Sequence, residues 1–202
     1  MDEITELWEN FTLTKEKEET IIIDSEKPLM TPENVQRYAV GKLHTSKRIS
    51  VEAFRSVMKS LWKVHESTHI ETAGMNLYVI VFKSMAEKNR VLTSGPWSFE
   101  TSLLVLTSPT ATDQPRDMNF NFFALWIQIH CIPFQCMIKD MAKFLGTRIG
   151  EVEEIDCNGS YEWTGPFIRV RVQIDISKPF KRGLKVRTGD EKESWCPLRY
   201  EW

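Results

Sequence analysis

The stretch Leu77-Tyr78-Val79-Ile80-Val81-Phe82-Lys83-Ser84-Met85-Ala86-Glu87 decides the fold class, because it passes from strand to helix within eleven residues. Its first six residues are nearly all apolar and rich in β-branched side chains. The run is too short for a buried helix and reads as a strand covered on both faces. Ser84 and Glu87 then stand three apart in the capping-box pattern, in which the hydroxyl and the carboxylate satisfy each other's backbone donors. They open a helix that Gly95-Pro96 ends, with Trp97 turned back onto the core.

Upstream, Tyr38-Ala39-Val40-Gly41-Lys42-Leu43 reads as a short strand after a loop bracketed by Pro28 and Pro32. Ser50 caps a helix from Val51 to about Lys63, with Phe54, Val57, Met58 and Leu61 expected on its core face. His69 to Ala73 is a second strand and Gly74 a turn. Downstream, Leu103 to Leu106 adds another strand. The order from Tyr38 to Leu106 is β-α-β-β-α-β, the ferredoxin-like split βαβ arrangement that RRM domains share.

A second, shorter round follows. Ala124 to Cys131 alternates, with Leu125, Ile127 and Ile129 on one face and Trp126, Gln128 and His130 on the other. A helix from about Met137 to Leu145 is expected to stop at Gly146 as a C′ residue. Strands are expected at Glu151 to Asp156 and Phe167 to Ile176, flanking an aromatic loop from Asn158 to Gly165. A terminal hairpin pairs Leu184 to Arg187 with Trp195 to Tyr200 across Gly189-Asp190. The fold class is therefore α+β: an RRM-like βαββαβ unit, then an incomplete βαββ unit with a C-terminal hairpin. The divisions are an acidic N-terminal arm over 1–36 with one strand at Ile21-Ile22-Ile23, the first unit over 37–108, a linker over 109–121 and the second unit over 122–202.

With 42% hydrophobic residues in 202, the chain has enough apolar material for a sizeable core. A formal charge of −2 excludes a polycation that coats nucleic acid unaided. The four cysteines are irregularly spaced and suit reduced thiols inside the cell, in nucleus or cytoplasm. No apolar run is long enough to span a bilayer, so no membrane partner is expected. Catalysis is not expected either. There is no nucleophile with an adjacent base, no paired carboxylates at a catalytic spacing, no glycine-rich phosphate loop and no zinc-ligand series.

Basic charge concentrates in one place. From Gly165 to Arg187 there are seven basic residues and one acidic. The strand within it alternates strictly, so Ile168, Val170, Val172, Ile174 and Ile176 share the core face and Phe167, Arg169, Arg171 and Gln173 the other. Arginine beside aromatics suits phosphate neutralisation and base stacking on a single strand. The candidate contacts are Arg169, Arg171, Lys181 and Arg182 for phosphate, with Trp126 and Phe167 for stacking. The same pattern arises on the solvated face of a half-covered antiparallel sheet. In the first unit, Leu77 and Val79 occupy the positions where an RNA-binding RRM carries its stacking aromatics, so the usual platform is missing there.

Several short motifs occur in a shared order: Val40-Gly41-Lys42-Leu43, Leu61-Trp62, Gly95-Pro96-Trp97-Ser98-Phe99, Leu125-Trp126-Ile127-Gln128-Ile129-His130-Cys131-Ile132-Pro133, Ile149-Gly150, Phe167-Ile168-Arg169-Val170-Arg171-Val172, Lys178-Pro179-Phe180 and Tyr200-Glu201. In this the chain resembles a plant family catalogued as a domain of unknown function and often followed by a CCHC zinc knuckle. The resemblance implies a retrotransposon-derived protein, similar to the first-reading-frame product of LINE elements or to a Gag-like protein. It also implies zinc only in a knuckle beyond Trp202, and single-stranded RNA or DNA as the partner. The alternative expectation, from another class, is a self-association or host-protein contact module without direct nucleic-acid contact.

Overall fold

The computed structural model of the protein describes residues 29–156, 165–189 and 193–201. The expected arm strand at Ile21-Ile22-Ile23 and most of the aromatic loop lie outside these residues. The described residues from Pro32 onward belong to one compact unit.

Pro32 does not bracket a loop but opens a four-residue helix, α1 (Pro32–Val35), where its fixed φ suits the first helical position. The first sheet then builds in the expected order: β1 (Tyr38–Leu43), α2 (Val51–Trp62), β2 (His69–Gly74), β3 (Leu77–Val81), α3 (Met85–Thr93), β4 (Trp97–Phe99) and β5 (Ser102–Thr107). Its strand order is β2-β3-β1-β5-β4. Without the short hairpin strand β4, this is the ferredoxin-like order, with β1 central and antiparallel to both β3 and β5.

Both helices cover one face. Ser50 caps α2 by accepting from the Ala53 amide, and Phe54, Met58 and Trp62 follow every fourth residue into the core. The expected partners Val57 and Leu61 are each 47% exposed, which corrects the core assignment. Three large side chains at i, i+4 and i+8 already fill the space over the sheet, so the neighbouring stripe turns outward. Tyr78 is buried as expected, its ring stacked 3.9 Å from that of Phe54. Trp97 packs edge-on to Trp62 and donates from Nε1 to the Val91 carbonyl at 2.7 Å.

Half of the capping box is made: Ser84 accepts from the Glu87 amide. The carboxylate of Glu87 does not return to Ser84. It accepts from the amides of His65 and Lys83 and from the Thr68 hydroxyl, so it ties the loop before β2 to the start of α3. These bonds hold its pKa below the usual carboxylate value against the opposing effect of burial.

No helix or strand occupies 109–121. The chain then forms β6 (Phe122–His130), a single 3-10 turn (Phe134–Cys136), α4 (Lys139–Thr147), β7 (Glu151–Ile155), β8 (Phe167–Asp175), β9 (Gly183–Val186) and β10 (Ser194–Tyr200). The second sheet has the order β7-β8-β6-β10-β9. Counted within its own unit this is the order of the first sheet, so all five strand positions are present, and among the described residues the second helix is lacking. Gly146 does not cap α4 but lies inside it. A Cβ there would stand 2.6 Å from Val152 Cγ2, so glycine serves the close approach of helix to sheet. Leu125, Ile127, Ile129, Ile168, Val170 and Val172 are buried beneath α4 with Ala142 and Leu145.

The face of the first sheet opposite its helices is also covered. Val40, Leu77 and Val105 pack there with Phe120, against which Met118, Phe123 and Ile176 also lie. The surface that an RRM offers to RNA therefore lacks its aromatics and is occupied by the crossover segment.

Candidate nucleic-acid interface

The second sheet leaves its other face without a helix, and strand alternation places the candidate side chains on it. Register pairs Phe167 with His130, Arg169 with Gln128 and Arg171 with Trp126 across β8 and β6. The expected platform of Trp126, Gln128, His130, Phe167, Arg169 and Arg171 is thus assembled on one face. Its arginines, however, are already engaged.

Arg169 donates from Nη1 to Asp156 at 2.9 Å. Its Nε and Nη2 form a fork on the Glu201 carboxylate, with the shortest bond 2.6 Å. The guanidinium also lies 4.2 Å from the centre of the Trp126 ring. Hydrogen bonding to Glu201 is the main cause of a raised arginine pKa, and the same bonds hold the Glu201 carboxyl below the usual range. Arg171 donates to Glu153 at 3.1 Å and to the Thr93 carbonyl at 3.2 Å, and its side chain is only 12% exposed. Glu153 is the extra residue of a bulge between Val152 and Glu154, a device that re-aims a side chain.

This second contact divides the face. Ala124, Trp126, Arg171 and Gln173 look into a cleft of about 810 Å3 whose far wall is formed by Thr93, Pro96 and Trp97. Beyond the cleft the face is open. There Phe167 lies 5.0 Å from the His130 ring, and Arg199 projects from β10 at the position opposite Gln128. Arg199 is exposed, and among the described residues no carboxylate pairs with it. Burial, and then the charge of Arg199, keep the His130 pKa low.

Further along, Trp195 is half exposed with its ring over Gly183, where a Cβ would meet Cζ2 at 2.3 Å. Lys185, opposite Trp195 in register, forms a solvent-exposed pair with Glu193. Arg187 lies two residues further on and is exposed.

Lys181 and Arg182 are not brought to this platform. Lys181 donates to the Arg148 carbonyl at the C-terminal end of α4, on the helix-covered side of the sheet. Arg182 is exposed on the approach to β9, its backbone carbonyl accepting from the Leu198 amide. Arg199 and the carboxylates that take up Arg169 escaped the sequence reading. The alternation of Trp195, Pro197 and Arg199 against Cys196, Leu198 and Tyr200 was the available signal for Arg199. For Asp156 and Glu201 there was none beyond their acidity.

Among the described residues no group of His, Cys, Asp and Glu is placed to hold a metal ion. No helix there is long and apolar enough to cross a membrane. Cys131, Cys136 and Cys196 are free thiols.

The class defined by topology is an α+β protein with two antiparallel five-stranded sheets, the first ferredoxin-like. The family model described as Domain of unknown function (DUF4283) matches residues 31–111, so a DUF4283 domain spans the first sheet and its helices. A comparison with curated proteins gives no match. Among solved structures, a chain of the Sxl-lethal protein/RNA complex is similar, at 7% identity and a TM-score of 0.31, over 70% of this chain and 84% of its own. The ferredoxin-like assignment rests on the strand order rather than on that similarity.

Proposed function

We propose that this chain is a non-catalytic, intracellular module that binds single-stranded nucleic acid without sequence specificity, on the open part of the second sheet. The supporting observation is the grouping of Phe167, His130 and Trp195 with the exposed Arg199 and Arg187, on a part of the face whose carboxylates Asp156 and Glu201 are taken up by Arg169. With those two carboxylates paired, Arg199 leaves positive charge beside Phe167 and His130, and the aromatic rings give bases a surface to stack on. Arg169 and Arg171 then shape the face, and Arg199 makes the phosphate contact. The order of short motifs along the chain supports a retroelement-derived protein in which a zinc knuckle adds affinity from outside this chain. The free thiols suit a reducing compartment.

Anisotropy of a labelled single-stranded RNA tests this reading. Arg199→Ala is expected to weaken binding several-fold and to lower the slope of log affinity against log salt by about 1. Equal binding by the native chain, Arg199→Ala and Phe167→Ala would remove the site.

A second reading, a protein-contact module, is favoured by a different surface. Phe134 is 87% exposed, with Ile138 and Phe144 also exposed, around the entry to α4 and along it. Light scattering that shows a monomer at all concentrations would count against self-association.

A further inference from the structure

We propose that His130 sets the selectivity of the open face by presenting Nδ1 as an acceptor to an N–H or O–H donor of the bound strand. This rests on the nucleic-acid reading above. The donor class comprises the N–H groups of a base, the N3–H of uracil among them, and the ribose 2′-hydroxyl.

The argument follows a chain of hydrogen bonds in which each link has one polarity. Asp156 and Glu201 both take bonds from Arg169, so the Glu201 carboxylate is held ionised and only accepts. Gln128 approaches the same carboxylate at 2.7 Å and must do so with its amino group, since its carbonyl would meet oxygen with oxygen. The Gln128 carbonyl is thereby turned toward His130 Nε2 at 2.9 Å. A carbonyl only accepts, so Nε2 carries the proton.

A neutral imidazole has a single N–H, which leaves a lone pair on Nδ1. The groups around the ring oppose a second proton. Phe167 lies tilted against the ring from β8, Gln128 is uncharged on the same strand, and the charge acting from β10 is that of Arg199, which disfavours a cation. Among the described residues no donor is placed on Nδ1. An acceptor beside an aromatic ring and a free guanidinium is a complete set of contacts for one nucleotide: stacking, phosphate and one directional hydrogen bond.

The test uses the native chain, His130→Phe and His130→Gln with three single-stranded homopolymers: ribouridine, deoxyuridine and 3-methyldeoxyuridine, the last with no donor on its base. Phenylalanine keeps the ring and removes the acceptor. Glutamine keeps a donor toward Gln128 and moves the acceptor, now its own carbonyl oxygen, off the Nδ1 position. If the 2′-hydroxyl is the donor, the native chain binds ribouridine about fivefold more tightly than deoxyuridine, as for one net hydrogen bond. If a base N–H is the donor, deoxyuridine is preferred over 3-methyldeoxyuridine by a similar factor. Either preference must vanish in both variants while salt-sensitive binding persists. Equal affinity of the native chain for all three polymers, or a preference that survives both substitutions, overturns the role of His130 and leaves the binding surface standing. Absence of salt-sensitive binding by the native chain overturns both.

Discussion

Arg169 is held between the ring of Trp126 and two carboxylates, which makes it a structural residue before it is anything else. Substituting Met would leave Asp156 and Glu201 without their cation. Its side chain is 30% exposed, so water softens the loss. Arg169→Met is expected to lower stability by about 1–3 kcal/mol in chemical denaturation. The sign of the pH effect follows from Glu201, whose folded pKa lies below its unfolded value. That contribution is complete above the ordinary glutamate value of about 4.5 and is lost as pH falls through the depressed folded value. The native chain should therefore lose stability more steeply in this acid window than Arg169→Met does. His130, also depressed, acts in a separate window: its contribution is complete above 6.5 and is lost as pH falls below it, because the unfolded chain takes up the proton first. Denaturation at a series of pH values, with His130→Gln as the comparison, separates the two.

The elements show how much a periodic pattern reveals and where it stops. In α2 the sequence offers Phe54, Val57, Met58 and Leu61 at helical spacing, yet the sheet accepts Phe54, Met58 and Trp62. Trp62→Ala should cost about 3–5 kcal/mol. Val57→Ala and Leu61→Ala should stay within about 0.5 kcal/mol of native, as for surface positions. A large cost at Leu61 would mean that this stripe is covered. In α4, Gly146→Ala should cost about 1–3 kcal/mol, because the added methyl presses on Val152 of β7. These values are read from thermal or urea unfolding. The strands were legible because alternation has a period of two and each of β6 and β8 has one buried face. Gly146 was misread because glycine near a helix end suits both a left-handed cap and a close approach, and only the distance to Val152 distinguishes them.

At the scale of the whole molecule, two sheets of the same strand order are joined by a crossover whose Phe120 is buried against the first sheet, and by Arg171 reaching the end of α3. Arg171 is then a strut between the two sheets rather than a ligand contact. Arg171→Ala should enlarge the radius of gyration in small-angle scattering, while Arg171→Lys, which can reach only one of the two acceptors at a time, should have an intermediate effect. An unchanged scattering profile would assign the cohesion to Phe120 and its neighbours. What the sequence determined by itself is most of the series of strands and helices, the sidedness of each alternating strand, with Phe167, Arg169 and Arg171 on one face of β8 and Trp126 and His130 on one face of β6, and the lack of aromatics on the first sheet. All of these follow from periodicities within about ten residues. Only the tertiary structure decided what those side chains meet. The partners of Arg169 lie 13 and 32 residues away, and Arg171 meets a carbonyl 78 residues away. Charge complementarity at such separations leaves no periodic trace, because it depends on which strand ends the sheet order brings together.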